Sequence, residues 1–290
     1  MPPAGHDDAT PFAPPPWPAW LEDARVADSH AEAAYEATPP RLRAALKTGL
    51  ALAHFHFGES PSRRDEAVLN GRLGFRRASS CCPAPWALII LSPAYAAAAR
   101  LTAACAAALL ASVPHVAALS PAGPPSQAAL VSLELSGVED SFSPSAARVP
   151  SLLDELMRLP GISGRVVLLH DGDLDDVAQA VRARGLPCYE ERRPPRLRVE
   201  AGAGVDREIL AFAHGGRGAL EAALEAAGPA DAVFRPRGEA LVPAPDAPLT
   251  LCPGCEGFWL HPGLSPAFFT VSRQAFSPSW APGAPHPDAS

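Results

Sequence analysis

A chain of 290 residues, 48% of them hydrophobic, is long enough to bury one large core or two modest ones, which excludes wholesale disorder. Its 24 basic side chains are outnumbered by 31 acidic ones, and a net charge of −7 excludes a nucleic-acid binder that works by neutralising phosphates. A single lysine, Lys47, together with 35 prolines and abundant alanine reads as coding bias and implies no function.

Residues 1–20 are Pro-rich with little apolar periodicity and are expected to be a flexible tail. Asp7 and Asp8 stand where a secretory signal would need basic and then apolar residues, so a cytoplasmic location is expected. Residues 21–84 are expected to hold N-terminal helices and a hairpin. From Asp28 to Phe57 two helices are separated by Pro39 and Pro40, and Ser29 and Glu32 have the spacing of a capping box. In the second helix Leu42, Leu46, Leu50 and Ala53 recur at helical spacing. His54 and His56 lie two apart and so on different helix faces, which prevents them from chelating one ion; Phe55 or His54 is expected to be simply buried. Asn70-Gly71 between strand-like flanks predicts a hairpin over 67–78.

Apolar strands then alternate with amphipathic helices. Strands are expected at Trp86–Leu91, Val116–Leu119, Val166–His170 and Pro187–Glu190, with helices at Tyr95–Ala111, Ser126–Leu135 and Asp175–Arg184. That alternation implies parallel pairing through right-handed crossovers. The fold class is therefore α/β, with doubly wound, mostly parallel sheets of Rossmann-like type behind N-terminal helices. Residues 85–165 are expected to form a first α/β unit, 166–275 a second with closing strands, and 276–290 a flexible tail. Further helix–strand units are expected within Glu208–Phe234. The apolar stretch Trp86–Val113 is broken by Pro93 and Arg100, so no membrane anchor is expected.

Chemistry-bearing residues are few. Ser92 and Tyr95 sit in the turn at the carboxyl end of the first sheet strand, where open α/β proteins bind ligands, yet LSPAYAAAAR lacks the glycines of a dinucleotide turn. A structural turn and a surviving nucleotide crevice both stay open. Asp171 and Asp173, with Asp175 and Asp176, suit either a helix start or a ribose or divalent-ion contact. Cys252-Pro253-Gly254-Cys255 admits three readings: a plain turn leading into a strand at Phe258-Trp259, a redox pair, or half a zinc site completed by His261 or by His54 and His56. All six cysteines, Cys81, Cys82, Cys105, Cys188, Cys252 and Cys255, are expected to be reduced thiols rather than a disulfide framework. His214 opens a Gly-rich loop.

Several segments taken in order resemble histidinol dehydrogenase, of the aldehyde-dehydrogenase-like superfamily. These are SHAEAAYEATPPRLRAALKTGLALAHFHFGES, GRLGFRRASSCCPAPWALIILSP, the stretch from LTAACAAALL to SGVEDSF, ADAVF, and PGCEGFWLHPGLSPAFFTVSR, spread over about Ser29 to Arg273. The resemblance implies two-step, NAD-dependent oxidation of L-histidinol, a zinc held by Gln, His, Asp and a second His, and a Glu-His acid–base pair. Most of those positions are changed. Gln179 is followed by Arg182 where the zinc-binding histidine would fall, Ala213 replaces the acid beside His214, and Asp246 is the candidate for the aspartate ligand. The family's C-terminal helical region with its last histidine is expected to be missing. The chain is therefore expected to be a degenerate relative, a pseudoenzyme without zinc-dependent histidinol oxidation that acts as a binding or accessory protein. The alternative is an active NAD-dependent oxidoreductase with Cys252 or Cys255 as thiolate nucleophile and His214 as base. Ser92, Tyr95, Asp171 and Asp173 are the cofactor-contact candidates, NAD stays open as cofactor, and neither zinc nor any metal ligand is expected. The expected partners are a second copy or another protein, not nucleic acid or membrane.

Overall fold

The structure, a computed structural model, describes residues 15–58, 63–161, 163–170, 172–191, 193–238 and 242–278. A 3-10 segment, Ala19–Ala24, leads into α1 (Asp28–Ala37) and α2 (Pro40–Phe57). The strands β1 (Arg64–Asn70) and β2 (Phe75–Pro83) pair antiparallel as the expected hairpin. Then come β3 (Ala87–Leu91), α3 (Ala98–Leu110), β4 (Val116–Leu119), α4 (Gln127–Ser136) and β5 (Asp140–Phe142). They are followed by α5 (Val149–Met157), β6 (Arg165–Leu169), α6 (Asp175–Ala183) and β7 (Cys188–Glu191). All five strands from β3 to β7 form one parallel sheet in the order β5-β4-β3-β6-β7. The α/β reading is correct, and the order reverses between β3 and β6, where such sheets open a crevice.

Strand alternation divides the core into two layers. Ile89, Leu91, Val167 and Leu169 face Leu101, Ala104 and Leu133 of α3 and α4. Leu88, Ile90, Val166 and Leu168 face Leu152, Leu156, Val177 and Val181 of α5 and α6. The four large side chains of β3 are wholly buried, each contributing about 1.5–3 kcal/mol.

A second parallel sheet, β10-β9-β8, is built from β8 (Leu197–Val199), β9 (Ala232–Phe234) and β10 (Leu249–Leu251), with α7 (Arg207–Ala213) and α8 (Arg217–Glu225) between β8 and β9. Its core gathers Leu210, Leu220 and Phe234 with Leu46 of α2 and Ala98, Ala99 and Ala106 of α3. The α3 helix thus serves two cores at once, which is why, Arg100 and Thr102 apart, it is apolar all round and rich in small residues. Where α2 meets the 252–260 loop the backbones touch: a Cβ on Gly49 would overlap the Gly257 carbonyl, and one on Gly257 that of Ala45.

The last strand, β11 (Thr270–Pro278), returns to pair with β2 in a three-stranded antiparallel arm, β1-β2-β11. Most of this arm is in solvent, with Leu69, Phe75 and Phe276 exposed. Its base is anchored by buried Arg165, whose Nε donates to the Phe268 carbonyl at 2.6 Å and Nη2 to that of Thr270 at 3.0 Å.

Several expectations are corrected. The tail expected over 1–20 ends earlier: Trp17 is buried and its Nε1 donates to Asp140 at 2.6 Å, and Trp20 Nε1 donates to Glu155 at 3.0 Å. The α1 helix starts at Asp28 without a side-chain cap, so Ser29 lies inside it rather than capping it. Phe55 is 87% exposed rather than buried, because the apolar stripe of α2 leaves it on the outer face. The division expected after residue 165 runs through the five-stranded sheet, since β6 pairs with β3. The C-terminal tail does not begin at 276, because β11 continues to Pro278. Phe258 and Trp259 lie in a loop rather than a strand. Among the described residues no helix is long and apolar enough to cross a membrane.

Candidate functional site

The carboxyl ends of β3 and β7 bring together a buried polar cluster with Glu191 at its centre. Glu191 Oε2 accepts from Tyr95 Oη at 2.8 Å and lies 2.9 Å from Arg100 Nη1; both members of the ion pair are more than nine-tenths buried. Arg100 occupies the first turn of α3, where the helix dipole is already positive, so a carboxylate is the group that offsets both. Its guanidinium also lies over the Tyr95 ring, 5.3 Å from the centroid. His261 closes the cluster. Its Nε2 is 2.7 Å from the Arg100 carbonyl, which can only accept, so the ring proton is on Nε2; Nδ1 then accepts from Tyr189 Oη at 3.3 Å and faces Glu191 at 3.7 Å. Burial holds His261 below the ordinary imidazole range despite the opposing pull of Glu191, and burial with Glu191 pushes the Tyr189 phenol up.

Beside the cluster lies a small pocket of about 140 Å³, lined among others by Tyr189, Glu191, Arg193, Asp231 and Trp259. Arg193 and Asp231 pair bidentately at its rim, at 2.7 and 2.8 Å. The Trp259 Nε1 donor is buried and has no partner among the described residues. Edge-on to Trp259, at 5.3 Å between ring centres, sits His214, buried with both ring nitrogens likewise unpartnered. Burial first, and then the Arg100 charge, lowers its pKa to about 3. The ring is therefore neutral and a weak base near pH 7, which removes the basis for a proton-abstracting role.

Of the cofactor-contact candidates, Tyr95 joins the cluster. Ser92 is buried in the turn, its N–H donating to the Leu169 carbonyl and its carbonyl accepting from the Tyr95 N–H. Asp173 is exposed, and Asp171 lies outside the described residues. Cys252 and Cys255 face each other with sulfurs 3.9 Å apart in a turn. Burial and then the neighbouring Cys252 push the Cys255 thiol up, contrary to what a thiolate nucleophile needs. The turn is held by buried Glu256, which accepts from Gly254 N at 2.7 Å and Asp206 N at 3.0 Å. His261 is engaged with Arg100 and Tyr189, and His54 and His56 stand exposed at the end of α2, so no four-donor site forms around the cysteines among the described residues.

The residues at the implied zinc positions do not fit the ion either. Gln179 is exposed on α6, Arg182 pairs with Glu190, and Asp246 is held by Arg198 at 2.5 and 2.9 Å. One group, His170, Asp175 and Glu190, places ligand atoms within 4.8 Å of one another. Its chemistry argues against an ion: His170 Nδ1 accepts from Gly172 N at 3.0 Å and Leu174 N at 3.4 Å, which puts the proton on Nε2, the nitrogen facing Glu190 at 3.6 Å. This histidine ties down the loop before α6.

No family model matches the chain, and no curated protein is significantly similar to it in sequence. Solved structures are similar in fold. Histidinol dehydrogenase from Elizabethkingia anophelis superposes with a TM-score of 0.55 at 12% identity, over 89% of this chain and 77% of that one. A salicylaldehyde dehydrogenase from Pseudomonas putida G7, solved with salicylaldehyde, gives 0.34 at 16% identity over 66% and 48%. An apo indole-3-acetaldehyde dehydrogenase gives 0.36 at 10% over 89% and 86%. The chain has a dehydrogenase-like fold.

The buried neutral His214 makes a prediction about pH. Its folded pKa lies below the ordinary value of about 6.5, so below that pH the unfolded chain takes up a proton the folded one refuses, and stability falls as pH drops towards about 3. Between pH 7 and pH 5 this residue alone should remove roughly 2 kcal/mol of unfolding free energy. Urea titrations of the wild type and of His214→Phe should differ by that amount in their pH dependence; equal losses would contradict the burial of a neutral ring.

Proposed function

We propose that this dehydrogenase-fold chain binds a small polar molecule and does not carry out zinc-dependent histidinol oxidation. The observation that supports the reading is Glu191. In the crevice where a dinucleotide's diphosphate would need cations and helix N–H groups, the chain supplies its own carboxylate, already bonded to Tyr95 and Arg100. A second anion there would be repelled. The adjoining pocket of about 140 Å³ is below the roughly 300–1,000 Å³ of ordinary cofactor sites, which leaves room for a small molecule at a rim where Arg193 and Asp231 offer both charges. The thiolate alternative is disfavoured for the Cys255–His214 pairing, since Cys255 is a weakened acid and His214 a weakened base.

The accessory side of the reading rests on the arm. A three-stranded sheet open on both faces lacks the second layer that normally stabilises it, and its Asp65, Ser80 and Arg273 share one row of one face. A two-fold axis along β2 lays Asp65 of one copy over Arg273 of the other, twice, so a second copy is the partner that fits.

Two measurements check these statements. Calorimetric titration of metal-analysed protein should give no micromolar binding of NAD and no histidinol-dependent NADH; about one tightly bound zinc per chain together with NADH formation would overturn the reading. Light scattering should report about twice the chain mass of 30.2 kDa, reverting to a monomer in Asp65→Arg and returning to a dimer in Asp65→Arg/Arg273→Asp, whereas a monomeric wild type would contradict the pairing.

A further inference from the structure

On the opposite side of the five-stranded sheet from the Glu191 cluster's strand β7, a groove of about 800 Å³ runs between α1, α4 and the outer strand β5. Its floor is apolar, made by Tyr35, Leu130, Leu133 and Val138. Its rims are acidic: Asp28 and Glu32 on α1, Glu134 on α4 and Glu139 just before β5. Asp28 and Glu32 are four residues apart, so they stand on one helix face about 6 Å from each other. Among the described residues none of these four carboxylates forms an ion pair or a side-chain hydrogen bond. The neighbouring Asp140 is different, since Trp17 and Arg25 already hold it, at 2.6 and 3.0 Å. Of the cations here, Arg25 is occupied by Glu22 and Asp140, and Arg43 lies over the Tyr35 ring at 4.0 Å and donates to the Tyr35 carbonyl at 3.1 Å.

A second observation at the same place points to a ligand. Ser141 is 9% exposed, lines the groove, and its hydroxyl has no partner among the described residues. Strand alternation directs it there: Phe142 faces the core built with Trp17 and Leu21, so Ser141 faces the α4 side. A buried hydroxyl with nothing to bond is a destabilised acceptor that a donor entering the groove would relieve.

We infer that this groove binds a short aliphatic polyamine, its ammonium groups on the two acidic rims and its alkyl spacer over the apolar floor. A basic peptide fits less well. It would bring backbone groups that need partners, and the edge of β5 is already taken, because Val26 N donates to the Ser141 carbonyl at 2.9 Å and Ser143 N to the Ala24 carbonyl at 2.7 Å. The groove shares no residue with the Glu191 cluster, so whether the crevice binds a small molecule does not decide it.

The test is calorimetric titration with spermidine in moderate salt. Wild type should bind at one site, and Glu134→Gln/Glu139→Gln should weaken binding at least tenfold, while Glu221→Gln/Glu225→Gln, which removes the same charge from exposed positions on α8, should leave it unchanged. Ser141→Ala should weaken it a few-fold, and thermal unfolding of each variant should show that the fold is kept. No saturable binding, an equal loss in both double variants, or tighter binding of an arginine-rich peptide than of spermidine would overturn the inference.

Discussion

The ion pair between Arg100 and Glu191 is the interaction around which the rest of the site is arranged. A guanidinium inside an otherwise apolar helix that packs against two cores has no route to water, so a carboxylate must come to it, and the end of β7 delivers one. Tyr95 and His261 then satisfy what remains: the phenol donates to the carboxylate, and the imidazole takes the Arg100 carbonyl and the Tyr189 hydroxyl. Each group is fixed by another member of the set. Polar side chains thereby fill a place that open α/β sheets otherwise leave to ligands, and what remains open beside it is a small pocket rather than a long crevice.

Much of the fold was legible because the buried parallel strands are short continuous apolar runs between helices with a clear period, as in ALIIL and RVVLL. The second sheet was harder to read. Its three strands have three residues each, too few for any periodicity to show, and β8 and β10 are flanked by prolines and charges that read as loop. The arm was half visible: the hairpin announced itself through Asn70-Gly71, but nothing local shows that β11 returns nearly two hundred residues later to pair with β2.

The site was less legible, for a physical reason. Tyr95 stands out by its position at a strand end, but Glu191 lies just past the strand expected at Pro187–Glu190 and carries no motif, and Arg100 reads only as a break in an apolar stretch. Arg100 held the missed signal: an arginine among alanines at helical spacing demands a buried acid somewhere in the chain. The cysteine turn misled in the other direction. CPGC suggests thiol chemistry, whereas in the fold its neighbour Glu256 links the turn to the N-terminus of α7, where Asp206 caps Glu208 and Ile209. Spacing alone cannot tell a turn held by a buried carboxylate from a redox or metal site.

The central claim is that Glu191 and Arg100 exist for each other, and a double-mutant cycle tests it most directly. Glu191→Leu and Arg100→Met should each cost about 3–5 kcal/mol of unfolding free energy, because either leaves a buried charge without its partner. The double variant should recover much of that loss, with a coupling of about 2 kcal/mol or more. Additive losses, with coupling within about 0.5 kcal/mol of zero, would show that the two charges are stabilised independently and that the crevice is not organised around their pairing.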